Sequence, residues 1–307
     1  MRIVNISVDK KIFSRIPSVA CIGYFDGVHL GHQALIRKTV ELAERLQCQT
    51  SLITFDPDPW VTIKGIPTEG LQHITTMPQR VALAAAYGIQ NIYILKFTKA
   101  MSRLTPEEFR TEVFEQMNLK GIVCGFDFHY GYKGEGNCET LKKIEGIEVE
   151  VVDEVSDSVG KISSTRITQL LKEGKIEDAE RLLGHPFVID GKVIRGRHKG
   201  TSMGFPTANI YSGTEYVTLK TGVYACYVRR GAKEYRAMVN LGHNPTMNYT
   251  SALSLEAHIL DFNEDIYGER ISVRFVTWIR PEKDFKNKDN LIMQLEQDVR
   301  TVRNLLK

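Results

Sequence analysis

The sequence predicts an α/β fold in two parts: a Rossmann-like, doubly wound parallel sheet with helices over residues 1–184, and a small antiparallel β-barrel with a C-terminal helix over residues 185–307. Three observations carry that reading. Up to about residue 183, short β-branched apolar runs alternate with helical patterns. From Gly184-His185-Pro186 the texture changes to closely spaced strands separated by Gly, Asn and Asp turns. The end of the chain then returns to helical spacing.

In the first part, residues 19–24, 50–55, 91–96, 121–125 and 148–152 read as strands. Helices are expected between them at 33–46, 78–87 and 106–117, with Pro78 and Pro106 at the first helical position, where a missing N–H costs nothing. Ligands of such sheets sit at the carboxyl ends of the strands. In the second part, residues 187–195, 217–220, 223–229, 235–241, 254–260 and 271–279 read as strands. Residues 289–306 place Leu291, Leu295, Val299, Val302 and Leu306 on one helical stripe, expected to pack on the barrel rather than on a partner. There is no internal repeat and no low-complexity segment.

Composition narrows the function classes. A chain of 307 residues, 42% hydrophobic and 25% charged, is long enough for two packed cores. Its 40 basic and 37 acidic residues, a net charge of +3, give no concentrated basic face, so nucleic acid is not an expected partner. Cys21, Cys48, Cys124, Cys138 and Cys226 are odd in number and widely spaced, with no Cys-x-x-Cys pair, which argues against a disulfide framework and for a reducing, cytoplasmic setting. Charges at Arg2, Asp9, Lys10 and Lys11 precede any apolar run, unlike a signal peptide, and the longest apolar run, 81–87, is far short of the roughly 20 residues a membrane span needs. No membrane partner is expected. A homo-oligomer is compatible with all of this.

The most informative stretch is Gly23-Tyr24-Phe25-Asp26-Gly27-Val28-His29-Leu30-Gly31-His32, where an apolar strand runs into a helix. Glycines permit a tight turn, and the N–H groups and dipole of the new helix favour an anion. His29 and His32, three apart, share one helical face and are placed to donate hydrogen bonds to a transferring phosphate. The alternative is a helix start with two solvent histidines or half a metal site. A zinc protease would need histidines four apart with a Glu between them and a third ligand.

Two further segments carry chemistry. Ile162-Ser163-Ser164-Thr165-Arg166 sets hydroxyls and an arginine at a helix start, either as an anion site or as a plain cap. Gly125-Phe126-Asp127-Phe128-His129-Tyr130-Gly131 alternates aromatic and polar residues after a strand, suited to a flat heteroaromatic ligand or to a core with a turn Asp. Lys99-Ala100-Met101-Ser102-Arg103 looks like a phosphate motif of class I aminoacyl-tRNA synthetases, but it precedes the 121–125 strand and reads as a decoy.

The His-x-Gly-His stretch resembles the signature of the nucleotidylyltransferase superfamily. With the other two markers in this order, it resembles the N-terminal half of the bacterial bifunctional riboflavin kinase/FMN adenylyltransferases, or FAD synthetases. The second half adds Gly191, Gly196, Gly200 and Gly204, then Phe205-Pro206-Thr207-Ala208-Asn209, Gly242-His243-Asn244-Pro245-Thr246 and Leu255-Glu256-Ala257-His258-Ile259-Leu260-Asp261-Phe262, which resemble riboflavin kinase motifs. The resemblance covers nearly the whole chain.

The resemblance implies two ATP-dependent steps: phosphorylation of riboflavin to FMN, and adenylyl transfer to FMN giving FAD and pyrophosphate. For the adenylyl step it implies ATP contacts from Gly23, Phe25, Asp26, Gly27, His29 and His32, with Ser164, Thr165 and Arg166, and flavin contacts from Asp127, Phe128 and Tyr130. No general base is needed there, because the FMN phosphate is already ionised. For the kinase step it implies Glu256 as general base, ATP contacts from Gly196, Gly204, Thr207 and Asn209, and Mg²⁺ with ATP held by the oxygens of Thr207 and Asn209. Glu256 as a plain solvated strand residue, and Asn209 as a turn cap, are the alternatives. Four positions depart from the family pattern: Asp58 stands at the usual histidine, Phe126 where an acid is common, His129 where Arg is frequent, and Thr168 at an arginine, with Arg166 near enough to compensate. These departures keep open a monofunctional riboflavin kinase, or a flavin-sensing regulatory protein with a silent N-terminal nucleotide site.

Overall fold

The chain opens on a strand absent from the sequence reading, Arg2–Ile6 (β1), only alternate residues of which are buried. It is followed by Ser18–Ile22 (β2), Leu30–Arg45 (α1), Gln49–Asp56 (β3), Pro59–Lys64 (α2), Met77–Ala86 (α3), Asn91–Lys96 (β4), Pro106–Glu112 (α4) and Leu119–Gly125 (β5). A ribbon of His129–Tyr130 (β6) and Gly136–Asn137 (β7) leads into Cys138–Leu141 (α5), Glu148–Val152 (β8) and a second ribbon, Ser156–Asp157 (β9) with Gly160–Lys161 (β10). The computed structural model describes residues 1–8, 13–68, 70–196, 203–213, 216–243 and 253–307. Their contacts form two units: Met1–Leu71 with Thr75–Ser163, and Gln72–Ile74 with Ser164–Lys307.

The first unit is a six-stranded parallel sheet in the order β1-β4-β3-β2-β5-β8. β2 is buried at every position, as a central strand covered on both faces must be. Successive residues serve opposite cores: Ile22, Ile53 and Ile122 pack with Phe109 and Phe114, whereas Cys21, Leu52 and Val123 pack with Leu35, Ile36 and Leu42 of α1. The connections run from β2 through β3 to β4 on one side, then return to β5 and β8 on the other. The order therefore reverses between β2 and β5, and a crevice is expected outside their carboxyl ends.

One expected helix, 106–117, is cut short. α4 starts with a capping box between Thr105 and Glu108, but the chain breaks at Val113 (φ −121°, ψ −62°), tightens into a 3₁₀ turn over Phe114–Met117 and stops at Asn118 in a left-handed conformation. Phe109, Val113, Phe114 and Met117 are all buried, so the break keeps four apolar side chains on the core. In the decoy segment, Ser102 Oγ donates to Lys99 O (2.9 Å) and Met101 is buried, a local turn.

The second unit begins with Ser164–Lys172 (α6) and Ile176–Leu183 (α7). Val188–Ile194 (β11), Ala208–Tyr211 (β12), Gly222–Arg230 (β13), Lys233–His243 (β14), Leu253–Ile259 (β15) and Arg270–Arg280 (β16) then close an antiparallel barrel in the order β11-β12-β15-β14-β13-β16. Lys288–Leu305 (α8) follows and packs Leu295, Val299 and Val302 on Val223, Ala225 and Met238, as its stripe predicts. Two strand expectations differ. Residues 217–220 are not a barrel strand: the main chain there pairs with Gln72–Ile74 instead, Val217 N donating to His73 O (2.9 Å). β12 takes its place, a four-residue strand that starts two residues after Pro206.

Candidate active sites

Both edges of the expected crevice are occupied by the motifs read from the sequence. β2 leads into the Gly23–His32 turn and β5 into the Gly125–Gly131 loop. The turn is a strained piece of backbone. Phe25 (φ 59°), Gly27 (φ 81°) and Val28 (φ 39°) all have positive φ, unusual for an aromatic and more so for a β-branched residue. Burial of Phe25 and Val28 holds that shape, as does a polar cluster below it. Gly27 N donates to Thr75 Oγ1 (2.8 Å), and Asp26 Oδ1 accepts from Thr75 N (3.0 Å) and from Arg80 Nη2 (3.1 Å). Arg80 also donates through Nη1 to Tyr24 O and through Nε to Thr75 O (3.2 Å each).

The two histidines come together as expected. Their rings stack at 3.7 Å with 17° between planes, and His29 caps α1, its Nδ1 accepting from His32 N (3.4 Å). An accepting Nδ1 leaves the His29 proton on Nε2, which makes that edge a donor. His32 Nδ1 is buried with no hydrogen-bond partner among the described residues. Burial, followed by the nearby His29 and Arg80, holds the His32 pKa well below its ordinary 6.5, so the ring is neutral. The first turn of α1 carries no acid to offset the positive end of its dipole. The site is therefore a helix start with main-chain N–H donors, a neutral His32 and no acid in its first turn, suited to phosphate oxygens.

Around it, Ile162 O lies 3.8 Å from where a side chain on Gly31 would begin, so the main chain leading into Ser164 passes the turn. Ser164, Thr165 and Arg166 themselves open α6 in the second unit. In the β5 loop, Asp127 is exposed and pairs with Lys161 (2.6 Å), whose Nζ also lies 5.0 Å from the exposed Phe126 ring. Phe128 is half-buried and stacks at 11° on Tyr130, which is buried among Phe109 and Phe114. His129 Nδ1 meets Gly134 O at 3.0 Å. Asp58, at the family's histidine position, caps α2 through Trp60 N (2.9 Å).

The second site lies on the barrel's outer face under α8. Thr207 and Asn209, two apart, share a face, and β-register places Asn209 opposite Glu256 and Glu256 opposite Asn240, a polar row across β12, β15 and β14. A cavity of about 350 Å³ opens beside this row, walled by Thr207, Asn240 and Glu256 on one side and by Phe285, Leu291 and Leu295 on the other. Gly196 makes room for Asn209: a Cβ there would lie 2.0 Å from its Nδ2. Gly204 has φ 84°, a conformation that favours glycine. His258 Nδ1 lies 2.8 Å from Pro206 O, which fixes the segment entering β12. Of the motif residues, Gly200 and residues 244–246 lie outside the described residues.

Arg80 and Thr75 are missing from the sequence reading. The available signal was an arginine four residues before Ala84, on the buried face of α3.

Among the described residues no helix is long and apolar enough to cross a membrane, and no group of three or more His, Cys, Asp or Glu is placed to hold a metal ion. The family model for FAD synthetase matches residues 13–166 and that for riboflavin kinase matches residues 183–306. The bifunctional riboflavin kinase/FMN adenylyltransferase of Listeria monocytogenes is 38% identical over 94% of this chain and 92% of its own length. The Bacillus subtilis protein of the same name is 34% identical, with 92% and 90% covered, and the Escherichia coli one 31%, with 94% of each. A solved structure described as a macrolide-efflux protein from Streptococcus pneumoniae is 34% identical and superposes with a TM-score of 0.91 over 99% of both chains. The matches span both units and nearly the full length, and the chain belongs to the bifunctional riboflavin kinase/FMN adenylyltransferase family.

Proposed function

We propose that this chain makes FMN from riboflavin and FAD from FMN, adenylyl transfer belonging to residues 1–184 and the kinase to residues 185–307. The observation that carries the adenylyl half is the placement of the His29/His32 turn and the Asp127 loop on the two strands flanking the point where strand order reverses. The boundary is proposed at Gly184, where α7 ends in a left-handed conformation (φ 73°), whereas the contacts group α6 and α7 with the barrel.

In the adenylyl step an oxygen of the FMN phosphate attacks the α-phosphorus of ATP and pyrophosphate leaves. The protein supplies position and charge stabilisation. His29 donates through Nε2, the start of α1 faces the phosphates with its dipole, and Gly23, Phe25, Asp26 and Gly27 give the turn its shape. His32, Ser164, Thr165 and Arg166 belong to the same ATP site on the strength of the family motif. Asp127 and Phe128 offer a carboxylate and a ring face to the flavin, with Tyr130 stacked behind Phe128.

In the kinase step the riboflavin 5′-hydroxyl gives its proton to Glu256 and attacks the γ-phosphorus, and ADP leaves. The apolar wall of the cavity suits the flavin ring, and Glu256 faces it. Gly196 and Gly204 let backbone approach the ATP phosphates. The Thr207 hydroxyl and Asn209 amide oxygen are hard donors on one strand face, a set that fits Mg²⁺, which keeps water and phosphate oxygens in its shell and needs no cage of carboxylates. Mg²⁺ bound there would neutralise phosphate charge. Five free cysteines, four of them buried, suit a reducing cytoplasm.

The test is to incubate the chain with riboflavin, ATP and Mg²⁺ and separate the flavins over time. FMN followed by FAD is expected, His29→Ala should stop at FMN, and FMN alone from the wild type would overturn the adenylyl half.

A further inference from the structure

The Gly23–His32 turn is held by groups that lie far from it in sequence, and one of them does most of the holding. Arg80 sits on the buried face of α3, its side chain 5% exposed, and makes four contacts with the turn and its support. Nη1 donates to Tyr24 O, Nη2 to Asp26 Oδ1 and Nε to Thr75 O, while the guanidinium lies 4.3 Å from the centre of the Tyr24 ring. Thr75, so fixed, accepts from Gly27 N and donates to Asp26 Oδ1 (3.1 Å). Tyr24 O is also bonded by Thr54 Oγ1 of β3 (2.9 Å). Three of these groups, Arg80 Nη1, Arg80 Nη2 and Thr75 Oγ1, bond directly to the segment whose φ angles are positive at Phe25, Gly27 and Val28.

Strained backbone of this kind persists only where its surroundings over-determine it. A planar guanidinium is suited to the task because its fixed fork satisfies several acceptors at once, which an ammonium cannot do with the same geometry. We propose that Arg80 is a positioning residue for adenylyl transfer, acting through Asp26 and Thr75 to hold the phosphate turn, and the His29 ring at its end, in the shape that receives the triphosphate. The inference rests on the proposed ATP site at this turn.

Kinase activity on the same chain provides an internal control for folding. FMN-to-FAD and riboflavin-to-FMN rates are measured for the wild type, Arg80→Met, Arg80→Lys and His29→Ala, with kcat and KM for ATP taken separately. Arg80→Met is expected to lose about 10²-fold in kcat/KM for adenylyl transfer, because a misplaced turn costs that much, with a raised KM for ATP and an unchanged kinase rate. Arg80→Lys should recover only a small part, because an ammonium keeps the charge beside Asp26 but cannot reach all three acceptors with the fork's geometry. Lowered kcat at unchanged KM would mean a smaller folded fraction and would overturn the proposal, as would full recovery by Arg80→Lys or Arg80→Met working within about threefold of wild type. Should Arg80→Met fail to fold, Thr75→Val, which removes the hydroxyl that accepts from Gly27 N and donates to Asp26 Oδ1, must raise KM for ATP or the proposal falls. His29→Ala separates the two claims. If it still makes FAD, the ATP site itself is misassigned; if it does not while Arg80→Met does, only the positioning role is lost.

Discussion

Histidine 32 is the residue whose chemistry depends most on its surroundings. It stacks on His29, lies beside the Phe25 ring (5.0 Å) and feels the Arg80 guanidinium, and burial, His29 and Arg80 all oppose a proton on it. The sign of the pH effect follows. Unfolded, the ring takes a proton below about 6.5, whereas folded it resists one to a lower pH, so the neutral ring is fully compatible with the fold above 6.5 and opposes it increasingly as pH falls below that value. The first unit should therefore lose stability on going from pH 7.5 to 5.5, and His32→Gln, which cannot titrate, should lose less. Melting temperatures of both proteins at the two pH values check this; equal losses would mean that His32 titrates as if exposed. Little of this is legible in the sequence. The motif gives the pair, its spacing and Asp26, but Thr75 and Arg80 reach Asp26 from 49 and 54 residues away, and the only local sign of either is an arginine on the buried face of α3.

Elements were legible where their period was clean and their burial one-sided. α8 is such a case: its stripe alone gives its length and the face it buries. α4 shows the limit, since helical spacing continues through Val113 and Phe114 although the chain has already broken into a 3₁₀ turn to keep those side chains on the core. β12 shows another, a short strand hidden behind Pro206 inside a motif read for its chemistry. α8 also owes its seat to a contact that spacing does not reveal. Arg280 of β16 meets Asp298 with three hydrogen bonds of 2.6–3.0 Å, both side chains nearly buried, and Gln294 donates to the same carboxylate (2.9 Å). Arg280→Met leaves Asp298 buried without its cation and should cost about 3–5 kcal/mol, whereas Arg280→Met with Asp298→Leu should recover much of that. Denaturation followed by fluorescence of Trp278, two residues from Arg280, measures both, and a single-variant cost below about 1 kcal/mol would show that apolar packing alone seats the helix.

At the scale of the whole molecule, two chemistries share one chain, and no residue proposed for one is proposed for the other. The adenylyl site was legible as a motif at a strand-to-helix turn. The kinase site was legible only as a set of residue types, because the row Asn209, Glu256, Asn240 exists through register between strands distant in sequence. As proposed, each site has its own requirement, a proton acceptor in one and donors for phosphate in the other. A chain lacking one activity should therefore retain the second. His29→Ala should convert riboflavin to FMN and stop, and Glu256→Gln should convert supplied FMN to FAD yet leave riboflavin untouched. Mixed together with riboflavin, ATP and Mg²⁺, the two variants should make FAD, because FMN released by the first is substrate for the second. The rate should rise with the concentration of the second variant, as for any intermediate that passes through solution. FAD from neither the mixture nor supplied FMN would mean that Glu256→Gln has also damaged the first unit. FAD from supplied FMN but not from the mixture would mean that FMN stays on the chain that makes it, and the two sites would then have to be treated as one.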